Sequence, residues 1–306
     1  MPVVRSASIS GFAALVRELG GEPEELASEA GLPIEALNDP DLVVPLEASS
    51  RAMELAAERL HCPDFGLRLG EGQDITGLGP LTVALQHSPT MGDALECARR
   101  FLTVHNQAST LALEEDPYLV RGVAGLRFVW HYEDSSIYRQ SMDKQLLNIH
   151  QVVGFLAGGG YGLRSVELSY KPPAPLARYA EVFAGARINA ERPRTMLRMP
   201  TELVQRPIAG AQEALRAMAL QYLETQVSSA GLATTQRVRS ALDALLGSGR
   251  VSPRWVAAHL ATSARSLQRH LAAEGTTFGT LLDEVRRDKA QYWLTETDLS
   301  LSLIHI

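Results

Sequence analysis

The sequence predicts an α+β domain over residues 1–205 followed by an all-α domain over residues 232–306, with a helical linker at residues 206–231. Three observations support this fold class. Apolar residues recur at spacings of three and four over the first 105 residues, as on the buried face of a helix. From Ser109 they alternate or run for five to seven residues, as in strands. The helical spacing then returns in the last third of the chain.

The first 105 residues predict a series of helices separated by prolines. Gly31 is placed to end the second of them, because glycine readily adopts the left-handed conformation that closes a helix. In chain order, the predicted helices are SGFAALVREL, EPEELASEAG, LEASSRAMELAAERL and TMGDALECARRFLTV.

The next segments predict strands. We expect an antiparallel meander from STLALEE, YLVRGVA and LRFVWHY, with a turn at Glu114–Pro117 between the first two. A long helix at about residues 136–156 should follow. Its face of Tyr138, Met142, Leu146 and Ile149 could be core or line an effector pocket, and we expect core. After the turn GGGYG, the pattern predicts a strand in RSVELSY, a short helix in ARYAEVFAG, and extended segments in ARINAE and TMLRMP.

The C-terminal domain is predicted to be helical throughout. The linker before it contains a helix followed by VSSAG, and we expect Ser228, Ser229 and Gly231 to mark the end of the linker. In chain order, the predicted helices of the domain are LATTQRVRSALDALL, PRWVAAHL, ARSLQRHLAAE and FGTLLDEVRRDKAQYWLTE.

The composition is that of an ordinary globular protein, with 306 residues, 45% hydrophobic and 21% charged, which excludes disorder and a coiled-coil rod. No segment approaches the roughly 20 apolar residues that cross a bilayer, and the first residues lack the apolar core of a signal peptide. We therefore expect a cytoplasmic protein with no membrane contact. Cys62 and Cys97 lack CxxC spacing, so we expect buried thiols and no metal site.

The charge is distributed unevenly along the chain. Residues 1–231 contain 20 Lys and Arg against 28 Asp and Glu, whereas residues 232–306 contain 9 against 7. Between Asp243 and Glu274 there is no carboxylate at all. A polyanion would meet little repulsion in this segment.

Two short helices in this acid-free segment form a helix-turn-helix pattern. Ser252 and Pro253 suit the start of the first helix, and a three-residue turn leads to the second. Leu267 and Leu271 lie one turn apart on the second helix, so we expect both to be buried. The outer face then presents side chains at spacings of three and four, namely Arg265, Gln268 and Arg269.

These three side chains suit the reading of DNA bases. Arginine can bind guanine, and glutamine can bind adenine, through paired hydrogen bonds in the major groove. The alternative is an amphipathic helix on which Arg265, Gln268 and Arg269 are only solvated. The lack of acidic residues on this face and a family resemblance favour DNA binding.

One C-terminal segment resembles the DNA-binding domain of the AraC family of bacterial transcription regulators. Its sequence is VSPRWVAAHLATSARSLQRHLAAEGTTFGTLLDEVRRDKAQYWLTETDLSL. The matching features are VA-x-x-L, S-x-R-x-L-Q-R-x-L, EG-x-x-F, LLDEVR, Ala290 and TDLSL. The arabinose-binding-type sensor domain of one branch of this family resembles the upstream segments GFAALVRELG, FGLRLGE, GPL, SPTMGDAL and FAGARINAERPRTMLRMPTELV. The resemblance covers nearly the whole chain.

The resemblance implies a transcription regulator and not an enzyme. Residues 1–205 would sense an unidentified small-molecule effector and form a homodimer, and residues 232–306 would bind promoter DNA. It places Arg265, Gln268 and Arg269 at the base-reading positions of the first recognition helix.

The family pattern is incomplete at the C-terminus. Family members have two helix-turn-helix units joined by a long helix, which corresponds here to Phe278 to Glu296. This sequence stops at Ile306, about 40 residues before a second recognition helix would end, so we expect an incomplete helix-turn-helix domain. A truncated or frame-shifted sequence is the favoured explanation, and natural loss of the second unit is the alternative.

Two other functions stay open on the sequence. A non-DNA-binding adaptor would only pair with full-length partners, and a gel shift would distinguish it from a DNA-binding regulator. A small-metabolite enzyme would have to use the polar cluster of His131, Glu133 and Asp134, which a strand end and a helix start also explain. No catalytic set or cofactor motif supports the enzyme, and GGGYG lacks the Lys-Ser or Lys-Thr of a phosphate loop.

Overall fold

The computed structural model describes residues 3–40, 42–73, 75–105, 109–130, 138–229, 234–246, 251–260 and 264–296. The chain forms two compact units, Met1–Gln226 and Val227–Ile306. Within the described ranges, no helix is both long and apolar enough to span a bilayer.

The first unit contains two sheets. β1 (Val3–Arg5) pairs antiparallel with β2 (Val43–Pro45). The larger sheet contains β3 (Ser109–Glu115), β4 (Val123–Trp130), β5 (Ser165–Glu167), β6 (Arg187–Asn189) and β7 (Thr195–Pro200). Its order is β3-β4-β7-β5-β6, and all neighbours are antiparallel except β5 and β6. Helices and strands are thus mixed in this unit, as predicted.

The helices of the first unit include the four predicted for the first 105 residues. They are α1 (Phe12–Glu18), α2 (Pro23–Ala30), α3 (Leu46–Arg59), α4 (Phe65–Glu71), α5 (Pro80–Gln86), α6 (Met91–His105), α7 (Arg139–Leu156), α8 (Leu176–Val182) and α9 (Glu213–Ser229). Gly31 ends α2 with a φ of 73°, as predicted. Four elements, β1, β2, α4 and α5, were not predicted from the sequence. Helix α9 runs through Ser229, so Ser228 and Ser229 are helical.

The predicted strand YLVRGVA is wrong. The segment forms a turn, and β4 begins only at Val123. The Asp116 carboxylate fixes this turn by accepting a hydrogen bond of 2.9 Å from the Val120 N–H and by pairing with Arg198 on β7. Leu119 has a φ of 55° and is 84% exposed, which is incompatible with a place in the sheet. The described residues therefore form two of the three predicted meander strands.

The central helix α7 carries polar residues that are fully enclosed. They are Gln140, Ser141, Asp143 and Lys144. The Asp143 carboxylate accepts hydrogen bonds of 2.5 Å from the hydroxyl groups of Tyr170 and Tyr179. Burial raises the pKa of Asp143 to about 7, although these two bonds act in the opposite direction. Asp143 is therefore satisfied within the fold.

Helices α4 and α7 approach each other closely at Gly66. The Gly66 N–H donates to Gln140 Oε1 at 2.6 Å, and a Cβ at this position would lie 2.1 Å from the Gln140 carbonyl oxygen. Gln140 also donates through Nε2 to the Pro63 carbonyl at 3.0 Å and through its backbone N–H to Glu54 at 2.8 Å. Only glycine allows the two backbones to come this close.

The described residues of the second unit form α10 (Thr234–Leu245), α11 (Pro253–His259), α12 (Ala264–Ala273) and α13 (Phe278–Glu296). Helix α13 has the bounds predicted from the sequence. One apolar core joins these helices, and its buried members are Val238, Ala241, Leu242, Val256, Ala257, Leu267, Leu271, Phe278, Leu281 and Val285. The predicted burial of Leu267 and Leu271 is confirmed.

Candidate functional site

The outer face of α12 carries the three side chains that the sequence predicts for base reading. Arg265, Gln268 and Arg269 are all exposed. Among the described residues, none makes a hydrogen bond or ion pair with these side chains. Leu267 and Leu271 are 1% and 0% exposed, so burial of the opposite face fixes the rotation of the helix.

Capping contacts hold the helices around α12 in place. The Ser252 Oγ accepts a hydrogen bond of 3.3 Å from the Trp255 N–H, which confirms the predicted cap of α11. Glu274, just after α12, accepts hydrogen bonds from the Thr235 N–H at 2.7 Å and the Thr235 hydroxyl at 2.6 Å at the start of α10. Burial raises the pKa of Glu274, but hydrogen bonds from Thr235 and Thr234 outweigh this effect and lower the pKa to about 2. The carboxylate that borders the acid-free segment is therefore bound in a structural contact.

Two acidic residues of α13 are also paired. Arg239 of α10 donates to Asp288 at 3.0 Å and forms an ion pair with Glu284. These carboxylates are partly neutralised by an arginine of their own unit. The arginines of α12, in contrast, are exposed cations that an external anion can approach.

A cavity of about 420 Å³ lies within the first unit, and we call it the α7 cavity because α7 contributes the largest share of its lining. The remaining lining comes from the start of the chain, the segment between α4 and α5, helices α5 and α6, and strands β3 and β4. Its apolar lining includes Leu81, Leu85, Leu95, Leu102, Leu111 and Phe128. The volume falls within the range of small-molecule binding sites, about 300–1,000 Å³.

Polar groups of α7 also line the α7 cavity. Lys144 is 3% exposed, and its ammonium donates to the Ser8 carbonyl oxygen. Gln73 donates to the same carbonyl at 3.1 Å and to the Ser10 carbonyl at 2.9 Å, and it accepts a hydrogen bond of 2.8 Å from Asn148 Nδ2. Two buried amide oxygens have no partner within the described part of the chain, namely Gln145 Oε1 and Asn148 Oδ1.

The lining of the α7 cavity includes a buried lysine. Burial lowers the pKa of Lys144 to about 8, and the ammonium is still the main form at pH 7. Arg5 also lines the cavity, and none of the described lining residues is Asp or Glu. No ion pair between Lys144 and a carboxylate is present among the described residues.

The α7 cavity was not predicted from the sequence. Tyr138, Met142 and Leu146 are buried as predicted, but Ile149, which was predicted to share their core face, lines the cavity. Lys144 carries no local signal, since it lies among polar residues that would suit a solvated helix face. Only the packing of distant segments around α7 encloses it.

Other sequence expectations have mixed outcomes. Cys62 and Cys97 are buried free thiols, as predicted. The cluster of His131, Glu133 and Asp134 lies outside the described residues, as does the turn between α11 and α12. Among the residues that are described, no group of three His, Cys, Asp or Glu side chains is arranged to hold a metal ion.

Comparison with known proteins assigns the first unit to a family. A family model described as "Arabinose-binding domain of AraC transcription regulator, N-term" matches residues 20–208, which is more than half of the chain. These residues include most of the lining of the α7 cavity.

The similar proteins are regulators of transcription. The HTH-type transcriptional regulator VirS of Mycobacterium tuberculosis is 28% identical over 306 residues, covering 99% of this chain and 88% of VirS. The ornithine utilization regulator of Pseudomonas aeruginosa is 32% identical over 291 residues, covering 94% of this chain and 84% of that protein. The crystal structure of the transcriptional regulator CdpR from Pseudomonas aeruginosa aligns with a TM-score of 0.49 at 22% identity, covering 94% of this chain and 88% of CdpR.

The matches define the class of protein as a transcription regulator. The chain belongs to the AraC family, in the branch with an N-terminal arabinose-binding-type domain. The resemblance read from its motifs is thereby confirmed.

Proposed function

We propose that this regulator binds promoter DNA through α12 and a small-molecule effector in the α7 cavity. In this proposal, residues 1–205 sense the effector, residues 206–231 connect the domains and supply the homodimer contact, and residues 232–306 act as an AraC-type helix-turn-helix domain. The observation that supports DNA binding is the exposed outer face of α12, whose side chains have no polar partner in the part of the chain that the structure describes. A regulator of transcription works on the chromosome, so we also propose a cytoplasmic location and no enzymatic activity.

The face of α12 has the chemistry that base reading requires. Its buried side is fixed by Leu267 and Leu271, so the side chains of Arg265, Gln268 and Arg269 share the opposite side. Arginine presents two parallel donors to guanine, and the glutamine amide presents a donor and an acceptor to adenine. The unpaired positive charge also favours approach to the phosphate backbone.

Alanine at Gln268 or Arg269 should weaken binding to the specific promoter by about 1–3 kcal/mol for each interaction with a base that the substitution removes. Binding to random DNA should change much less, because interactions with base edges do not contribute to it. Fluorescence anisotropy on both DNAs at one salt concentration measures the two effects. We expect Arg265→Ala to behave in the same way.

Arg286→Ala is the matched control, because Arg286 is an exposed arginine of α13 in the same unit. It should weaken specific and random binding equally and only slightly. An equal decrease on both DNAs for the α12 variants would show that their side chains contact only phosphate. Absence of any DNA binding by the wild-type chain would instead support the adaptor.

The α7 cavity is the best candidate for the effector site. It combines a suitable volume, apolar walls and a few buried polar groups. Ala98 lines the cavity and is 9% exposed, so Ala98→Trp should fill part of it and abolish the response of DNA binding to the effector. One relative is named for ornithine utilization, but the described lining here offers no carboxylate for the side-chain ammonium of ornithine.

The homodimer is proposed to form through an exposed apolar stripe on α9. Its members Leu215, Met218 and Tyr222 are 38%, 68% and 51% exposed. Leu215 lies three residues before Met218 and Tyr222 lies four residues after it, so an antiparallel copy can place Leu215 against Tyr222 and Met218 against Met218. A second copy also supplies a second DNA-binding surface, which raises the effective affinity for a two-part site.

Met218→Lys should convert the dimer to a monomer, because two lysines would face each other at the centre of the stripe. Sedimentation velocity of the full chain at micromolar concentration measures this change. Phe155→Lys is the control, since Phe155 is 53% exposed on α7 and lies outside the stripe. A wild-type monomer, or an equal effect of both substitutions, would contradict dimerisation through α9.

A further inference from the structure

We propose that the α7 cavity selects a small monocarboxylate with an uncharged hydrogen-bond donor next to the carboxylate and an apolar body, as in an aromatic 2-hydroxy acid. This inference rests on the proposed role of the α7 cavity as the effector site and names the chemical class of its ligand.

The negative charge of the ligand follows from Lys144. Lys144 is buried, lines the cavity and has no acidic partner among the described residues. A buried cation is costly unless an anion pairs with it. A ligand carboxylate is the group that pairs best with this ammonium.

The donor follows from the amide oxygen of Gln145, which has no hydrogen-bond partner among the described residues. This buried oxygen can only accept a hydrogen bond, so the ligand must donate one. Gln145 is the next residue after Lys144 on α7, and Asn148 follows one turn later on the same side as Lys144. The donor therefore lies close to the carboxylate in the ligand. A hydroxyl suits this position better than an ammonium, because Lys144 is a cation and none of the described lining residues is a carboxylate.

The size and shape of the ligand follow from the volume and the walls. At about 30 Å³ for each water, 420 Å³ equals the volume of about fourteen waters. A ligand of about a dozen non-hydrogen atoms therefore fits within this space and leaves room for several waters. The walls contributed by Leu81, Leu85 and Phe128 suit an aromatic or branched aliphatic group.

The test uses four probes of nearly equal size, with binding measured by calorimetry on the full chain at pH 7. The probes are 3-phenyllactate, 3-phenyllactamide, 3-phenylpropanoate and phenylalanine. We expect 3-phenyllactate to bind most tightly. Removal of the charge in the amide should weaken binding by at least tenfold, and removal of the hydroxyl in the propanoate should weaken it by about tenfold. Phenylalanine should bind at least tenfold more weakly, because its ammonium would lie near the ammonium of Lys144.

Substitutions assign these preferences to residues. In Lys144→Met, 3-phenyllactate and 3-phenyllactamide should bind about equally. In Gln145→Leu, 3-phenyllactate and 3-phenylpropanoate should bind about equally. Each ratio is measured within one variant, so a change in stability affects both ligands equally. Lys171→Met is the matched control, because Lys171 is exposed in the same unit, and it should leave both ratios unchanged.

The possible results separate this inference from the proposed function. The ligand class is overturned if no probe binds, if the neutral amide binds as well as the acid, or if Lys144→Met keeps the preference for charge. In those cases the cavity can still be the effector site for another class of molecule. The proposed function itself fails if metabolites that change DNA binding by the wild-type chain act equally on the Ala98→Trp variant.

Discussion

Replacing Leu271 by alanine should lower the free energy of unfolding of the second unit by about 2–5 kcal/mol, and Leu267→Ala should cost a similar amount. Both side chains are fully buried in the core that joins α10, α11, α12 and α13. Each substitution removes three buried carbons and leaves a space that the short helices around it can only partly close. The free energy of unfolding of a unit of this size is only a few kcal/mol, so either substitution should unfold it and abolish DNA binding.

Hydrogen exchange of the α10 to α13 amides measures this destabilisation within the second unit, because the full chain need not unfold in one step. Gln268→Ala is the control on the same helix. It should leave hydrogen exchange unchanged, within about 0.5 kcal/mol, while it weakens specific DNA binding. Unchanged exchange in both leucine variants would mean that the helix is rotated and that Arg265, Gln268 and Arg269 do not form its outer face.

The second unit could be predicted well because its signals are local. Ser252 sits where its hydroxyl caps α11, and α13 spans Phe278–Glu296 as the apolar spacing indicates. The outer face of α12 follows from the burial of two leucines at a spacing of four. The helix cap, the short turn and the apolar face of α12 each depend on residues close together in the chain. They can therefore be located from a single sequence.

The first unit shows where such local reasoning fails. Tyr118 to Val120 have the apolar character of a strand, but Asp116 pairs with Arg198, which lies 82 residues later, and holds the segment as a turn. The Arg198 guanidinium also stacks on the Tyr118 ring at 4.7 Å. A contact between such distant residues cannot be read from periodicity.

The α7 cavity was hidden for the same reason. Its lining brings together Ser8, Gln73, Leu95, Phe128 and Lys144, which no local pattern connects. A helix with Asp143, Lys144 and Gln145 in succession resembles a solvated helix until its neighbours are known. The candidate DNA-binding residues could therefore be predicted from the sequence, whereas the candidate effector site required the structure.

Replacing Gly66 by alanine should lower the free energy of unfolding of the first unit by about 3 kcal/mol or more. The added Cβ would lie 2.1 Å from the Gln140 carbonyl oxygen and 2.9 Å from its Cα, so two helix backbones must separate. That movement would also break the 2.6 Å hydrogen bond from the Gly66 N–H to Gln140 Oε1. A flexible side chain could move aside at lower cost, but the backbone of a central helix cannot.

Gly72→Ala is the matched control, since Gly72 ends the same helix with a φ of −78° and its added Cβ would meet atoms only at 3.7 and 3.8 Å. It should change stability by less than about 1 kcal/mol. Thermal unfolding of both variants, with hydrogen exchange of α4 and α7, makes the comparison. Because α7 carries Lys144, separation of α4 from α7 should also weaken ligand binding in the α7 cavity of any Gly66→Ala protein that still folds. Equal stability of the two glycine variants would show that α4 and α7 do not pack as closely as the structure indicates.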